Sequence, residues 1–193
     1  MRNLGNTCFM NSIIQCLNNT KELKEYFLKE VYRNDLNLKN PLGFGGEIAD
    51  EFSIICQALW WGHCKTIAPI RFKELIGQFN SQFVANDQQD AQEFLLFLLD
   101  GLHEDLNRIV DRPRNLPEVN YDNIDDTEGA RKAWDHHKKL NNSIIVDLFQ
   151  GQFRSILACL TCEKQSVKFD AFMYLTLPVP QSRCSLYVRR FAL

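Results

Sequence analysis

Cys8 is the residue best placed to do chemistry. It lies in the stretch Asn3-Leu4-Gly5-Asn6-Thr7-Cys8-Phe9-Met10-Asn11-Ser12, after which Phe9, Ile13, Ile14, Cys16 and Leu17 recur at helical spacing. The turn-forming residues before that pattern put Cys8 at or near a helix N-terminus. The positive end of a helix dipole favours thiolate over thiol, the nucleophilic form of the side chain. Upstream, Asn3 carries an amide that could donate to a developing oxyanion. A half-buried structural thiol would fit the same placement, because free cysteine is among the most buried residue types, and nothing local identifies a base.

Two further groups could do chemistry. Asp90 and Glu93 open the strongest helical pattern of the chain, where acids complement the helix dipole. Cys159-Leu160-Thr161-Cys162 has the two-residue spacing of half a tetrahedral zinc site, although two buried thiols on a strand turn would read the same.

The elements that must position these residues are mostly helical up to about residue 110. Apolar residues three or four apart predict helices over 21–33, 46–61 and 70–82, with a Pro- and Gly-rich loop over 34–46. The clearest pattern runs over 87–108: Ala91, Phe94, Leu95, Leu98, Leu99, Leu102 and Leu106 share one face, and Asp87 can cap the first turn. Prolines and acids over 111–128 read as a solvated loop, followed by a short basic helix over 129–140. From Ser143 the spacing changes, with Ile144, Val146, Leu148, Phe149, Phe153, Ile156 and Leu157 suggesting strands and 164–169 alternating in the same way. The organisation is a helical lobe over 1–142 and the start of a β region over 143–186.

Composition narrows the class. The 193 residues carry 22 basic and 24 acidic side chains, a net charge of −2, which leaves no electrostatic footprint for nucleic acid. Apolar runs such as 94–99 are far short of a membrane span, and no charged-then-apolar secretory leader opens the chain. Seven cysteines, an odd number, point to reduced thiols and a cytoplasmic address.

Three ordered signatures carry a resemblance. The stretch 3–12 followed by Gln15 resembles the cysteine box of the ubiquitin-specific proteases, a family of papain-like thiol deubiquitinases. Gln88-Gln89-Asp90-Ala91-Gln92-Glu93-Phe94 resembles their second signature. Asp147-Leu148-Phe149-Gln150-Gly151-Gln152-Phe153-Arg154-Ser155 with Cys159 and Cys162 resembles the start of their zinc-bearing fingers. The runs 98–107 and 172–178 look most like one endosomal member. The resemblance covers about residues 3–186. It implies a papain-like α+β fold, made of the helical thumb lobe and the first finger strands, and a partner, ubiquitin, cleaved after its terminal glycine. It implies Cys8 as nucleophile, Asn3 as oxyanion donor, and Asp90 and Glu93 as carboxylates gripping a tail that ends in Arg-Gly-Gly. It implies no cofactor for catalysis, and a structural zinc for which Cys159 and Cys162 are half the ligands. A second pair is missing, since Cys184 alone does not complete four.

The resemblance also exposes a gap. A thiol protease needs an imidazole to take and return the proton, and a third residue to orient it. The family's base sits far downstream before Gly-His-Tyr, and none of His63, His103, His136 and His137 matches it. His63 and His103 read as surface or packing residues. His136 and His137 lie at a separation from Cys8 close to that of some papain-like enzymes, but they fall on the polar face of a basic helix. The match departs after Leu186, leaving 187–193 as a divergent tail, and Met1-Arg2 replaces the usual Gly-Leu lead-in. The expectation is therefore an incomplete catalytic domain that does not turn over conjugates alone. The alternative is a catalytically silent ubiquitin-binding or regulatory product.

Overall fold

The apolar stripe over 91–106 becomes α5 (Ala91–Asp105). Phe94, Leu98, Leu99 and Leu102 on it are buried, as is Leu106 just past its end. The helix starts later than the pattern suggests. Asp90, not Asp87, accepts from the Gln92 and Glu93 N–H groups and so captures the free donors of the first turn.

Around α5 lie α1 (Cys8–Asn18), α2 (Lys21–Leu28), α3 (Glu47–Trp60) and α4 (Ile70–Phe79). α1 and α3 pack on α5, α2 on both of them, and α4 on α3. Two of these helices are shorter than their apolar spacing predicts. Glu30 turns left-handed at φ 55°, and the chain continues as a 3-10 turn over Val31–Asn34. After α4, the Asn80 side chain accepts from the Gln82 N–H and starts a second 3-10 turn, Ser81–Phe83. The structure is a computed structural model that describes residues 1–62, 65–113, 115–117, 119, 121, 124–163 and 165–178. His63, Cys184 and the tail 187–193 lie outside the described residues.

Asp105, at the end of α5, is fully buried. Its Oδ1 accepts from the N–H groups of Phe44 (2.7 Å) and Gly46 (3.1 Å), and its Oδ2 from those of Ile48 (3.1 Å) and Ala49 (3.3 Å). One carboxylate thus satisfies the free donors at the start of α3 and locks α3 to α5. Burial pushes the Asp105 carboxyl up, and the four N–H groups oppose that shift. Asn107, slightly further along, has a similar role. It donates to Leu140 O and accepts from the Ile109 and Asn142 N–H groups, tying the end of α5 to the segment that leads into the β region.

That β region departs from its sequence reading in one place. Residues Ile144–Phe149, expected to be strand, form the short helix α7. Ser143 decides this, because its Oγ accepts from the Val146 N–H as an N-cap, and Ile145 and Val146 are both buried. The basic helix α6 (Asp126–Lys138) begins earlier than the expected 129, since Asp125 accepts from the Thr127 N–H. Strands β1 (Gly151–Ala158) and β2 (Gln165–Phe172) pair antiparallel, from Gly151 opposite Phe172 to Ala158 opposite Gln165. α6 packs on this hairpin. Gly129 permits the approach, because a Cβ there would lie 2.8 Å from the Phe169 ring.

Candidate active site

The loop before α1 leaves Cys8 open. Thr7 stands at the N-cap position but makes no side-chain cap. Its hydroxyl instead accepts from the Leu4 N–H (2.9 Å) and meets Asn3 Oδ1 (3.2 Å). The first intrahelical bond runs from the Asn11 N–H to Thr7 O, so the N–H groups of Cys8, Phe9 and Met10 precede the helical ladder and face an uncapped end. An uncapped helix start with a partial positive charge is a site for a developing anion. Cys8 is exposed and unpaired, and its sulfur has no hydrogen-bond partner among the described residues.

Asn3 is built into the same loop. Its Oδ1 accepts from the N–H groups of Gly5 (3.1 Å) and Thr7 (3.0 Å). These bonds fix the amide orientation and leave Nδ2 as the end without a partner among the described residues. A positioned N–H₂ donor is what oxyanion stabilisation requires.

Asp90 and Glu93 are both exposed. Asp90 Oδ1 takes both capping bonds, from Gln92 N at 2.6 Å and Glu93 N at 3.3 Å, so Oδ2 stays available. The capping and binding roles are compatible in one side chain. Glu93 Oε2 accepts from Gln82 Nε2, and Gln82 also meets Gln89, whose Nε2 donates back to Gln82 O. Sequence reasoning missed Gln82. Its signal was weak, because a glutamine on a short turn carries no motif.

The residues next to these groups hold them in register. Phe9 follows Cys8, Phe94 follows Glu93 and Phe83 follows Gln82. Their rings form one cluster, with centroids 5.4 Å apart for Phe9 and Phe94, 5.8 Å for Phe9 and Phe83, and 5.5 Å for Phe83 and Phe94. All three rings are buried. Cys8 and the two carboxylates therefore stand on helix starts coupled through a packed aromatic core.

The other candidates lie elsewhere. Cys159 and Cys162 are exposed in the turn of the hairpin, where the Glu163 N–H donates to Cys159 O at 2.9 Å. The backbone N–H groups of Cys162 and Thr161 hold the Cys159 thiol below its ordinary range. Thiolate is the form that a metal requires, and the pair suits two ligands of a zinc ion. Among the described residues no third His, Cys, Asp or Glu joins them.

His103 is buried, with Nδ1 2.8 Å from Ser143 Oγ and Nε2 3.3 Å from Asn141 Oδ1, a packing role in line with its sequence reading. His137 stacks on Trp134 and uses both ring nitrogens, with Gln150 and Asn141. Both His136 and His137 ride on α6 against the hairpin, and neither shares a hydrogen bond with Cys8 among the described residues.

A helical lobe with a two-stranded antiparallel β arm, carrying an exposed thiol at an uncapped helix start, is a fold of the papain-like α+β class. The chain belongs to the family described as ubiquitin carboxyl-terminal hydrolase, whose sequence model matches residues 1–181. It is 50% identical over 189 residues to "Ubiquitin carboxyl-terminal hydrolase 15" of Homo sapiens, covering 95% of this chain and 19% of that protein. It is 48% identical over 190 residues to "Ubiquitin carboxyl-terminal hydrolase 19" of Rattus norvegicus, covering 98% of this chain and 14% of that one. The chain thus spans under a fifth of the length of these relatives. Neither name supports the endosomal member, ubiquitin isopeptidase Y, to which the runs 98–107 and 172–178 pointed.

Among solved structures, the SAGA Ubp8/Sgf11/Sus1/Sgf73 DUB module bound to ubiquitin aldehyde matches with a TM-score of 0.59 at 21% identity, over 90% of this chain and 33% of that one. The same module bound to monoubiquitin matches with a TM-score of 0.58. These likenesses establish the fold.

Proposed function

We propose that the chain carries the nucleophilic half of a thiol-dependent deubiquitinase that cleaves the isopeptide bond after ubiquitin's C-terminal glycine. The observation that carries this reading is Cys8, exposed and unpartnered at the uncapped start of α1, with the Asn3 amide oriented in the same loop. The Cys8 thiolate attacks the carbonyl. Asn3 Nδ2 and the N–H groups of the first turn of α1 receive the oxyanion. Asp90 Oδ2 and Glu93 hold the extended tail by accepting from its arginine and backbone N–H groups. Gly-Gly at the end of that tail suits a passage too narrow for side chains.

His103 and His137 are committed to packing contacts, and the family resemblance assigns the imidazole and its Asp or Asn partner to downstream sequence. In this reading the helical lobe is the thumb, and the hairpin of β1 and β2 is the start of the fingers. A zinc ion held by Cys159, Cys162 and two further ligands would staple the finger tip and leave the chemistry at Cys8 untouched. No described helix is long and apolar enough to cross a membrane, and the five cysteines described are all free, as in a cytoplasmic setting.

The test is an electrophilic ubiquitin with a warhead in place of its terminal carboxylate. In a domain completed by its downstream sequence it attaches at Cys8, and Cys8→Ala removes the adduct; an adduct that persists in that variant moves the nucleophile elsewhere. Asn3→Asp separates the two ends of the amide, since it keeps the Oδ1 bonds to the loop and deletes the Nδ2 donor. In a domain completed by its downstream sequence, Asn3→Asp lowers turnover by roughly 10²–10³-fold with little loss of ubiquitin binding.

A further inference from the structure

The loop that carries Asn3 is held at its two ends by different regions of the molecule. At one end the Arg2 N–H donates to Ile67 O (2.7 Å), and Asn11 Nδ2 donates to Arg2 O (3.1 Å). At the end nearer Cys8, the loop rests on Asn86. Asn6 Nδ2 donates to Asn86 O at 2.8 Å. Gly5, at φ +108°, sits so close that a Cβ on it would lie 3.1 Å from Asn86 Cγ. The Asn86 side chain is itself held, because its Oδ1 accepts from Lys73 Nζ. Lys73 lies on α4, which packs on α3.

We propose that Lys73 and Asn86 form a latch that positions the nucleophile loop, transmitting the placement of α4 to Gly5, Asn6 and, through them, Asn3 and Cys8. Neither residue touches Cys8; both are positioning residues. Lys73 fixes the Asn86 side chain, and that side chain is the wall against which Gly5 adopts a left-handed backbone that other residues rarely accept. A contact between one ammonium and one amide at the surface adds little to global stability. Its effect falls on the geometry of the loop. The latch deepens the functional reading above and rests on it for the consequence at Cys8.

The experiment uses the 193-residue chain. Lys73→Met and Asn86→Ala shift the backbone amide resonances of Gly5, Asn6 and Thr7 and speed their hydrogen exchange. Lys73→Arg restores the parent positions, and core amides such as that of Leu98 do not move. In a domain completed by its downstream sequence, Lys73→Met lowers the saturating rate of adduct formation between electrophilic ubiquitin and Cys8 by about 10-fold or more, as misplacement of a reacting group does, and leaves the half-saturating concentration in place. Loop amides that stay unmoved in both Lys73→Met and Asn86→Ala overturn the latch. So does an unchanged saturating rate in a variant whose loop has moved. A completed domain that forms no adduct, while the loop of the 193-residue chain still shifts in Lys73→Met, overturns the deubiquitinase reading and leaves the loop contact standing.

Discussion

The helical lobe and the β arm treat their apolar residues in opposite ways. In the lobe, Ile14, Leu23, Phe27, Ile48, Phe52 and Leu98 are completely buried in one contiguous core. In the arm, Ile156 is 48% exposed, Leu157 75% and Leu160 fully exposed. The lobe therefore holds itself together by burial, at about 25 cal/mol per Å² of apolar surface removed from water. An isolated two-stranded hairpin is marginal on its own. This one leans on α6, through Arg154 to Asp126 (2.9 Å), Gln152 Nε2 to Ala130 O (3.2 Å) and the Phe169 ring at Gly129. The difference separates two kinds of site. Cys8, Asn3, Asp90 and Glu93 stand on a self-supporting scaffold, whereas Cys159 and Cys162 stand at the tip of a weakly supported arm.

The contrast is broken or confirmed most directly by truncating one ring in each region. Phe94 is buried and meets both Phe9 and Phe83, so Phe94→Ala costs about 3–5 kcal/mol of unfolding free energy. Phe153 in β1 is 39% exposed and stacks on Phe172 at 3.9 Å, so Phe153→Ala costs about 1 kcal/mol or less. Denaturant melts of the two variants provide the measurement. Equal losses would place the arm in the same cooperative unit as the lobe.

The helical lobe was legible because its core is repetitive. The stripe from Phe94 to Leu106 encodes α5, and the turn residues before Phe9 encode the placement of Cys8. What escaped the sequence was polar and long-range. Asp105 reads as one more acid at a helix end, yet it caps a helix more than fifty residues upstream. Asn86 reads as a loop residue, yet it backs the nucleophile loop. Such bonds join positions far apart in the chain and leave no period. The strand pattern over 144–149 misled for a related reason: a short apolar run fits a buried helical turn equally well, and the N-cap Ser143 decided between them.

The joint between the two regions offers a pH test. His103 on α5 meets Ser143, the cap of α7, and Asn141, so one imidazole ties lobe to arm. Burial lowers the His103 pKa, and nearby Glu104 and Asp100 only partly offset that. The folded joint therefore holds neutral imidazole, while the unfolded chain takes up a proton near its ordinary pKa of about 6.5. Stability is full above that value and is lost as the pH falls toward the lower folded pKa. The melting temperature falls between pH 7.5 and pH 5.5, and His103→Asn flattens that slope. A slope unchanged in His103→Asn would assign the pH dependence to other groups.

The smallest effect is expected at the tip of the arm. Cys159 is held toward thiolate by the N–H groups of Cys162 and Thr161, and Cys162 stands beside it, exposed, as a second sulfur. Two of four ligands make a weak site, and water completes the shell. Zinc added at micromolar concentration therefore slows hydrogen exchange in the turn between β1 and β2, and Cys159→Ser abolishes the effect. Binding by so few ligands adds little free energy, and it falls on a segment that does not share the lobe's core. The thermal midpoint of the lobe, read from the helical signal, stays where it is with or without the metal. A midpoint that rises with zinc and drops with a chelator would mean that the arm and the lobe melt together. The separation between a self-supporting helical lobe and a dependent hairpin tip would then fail.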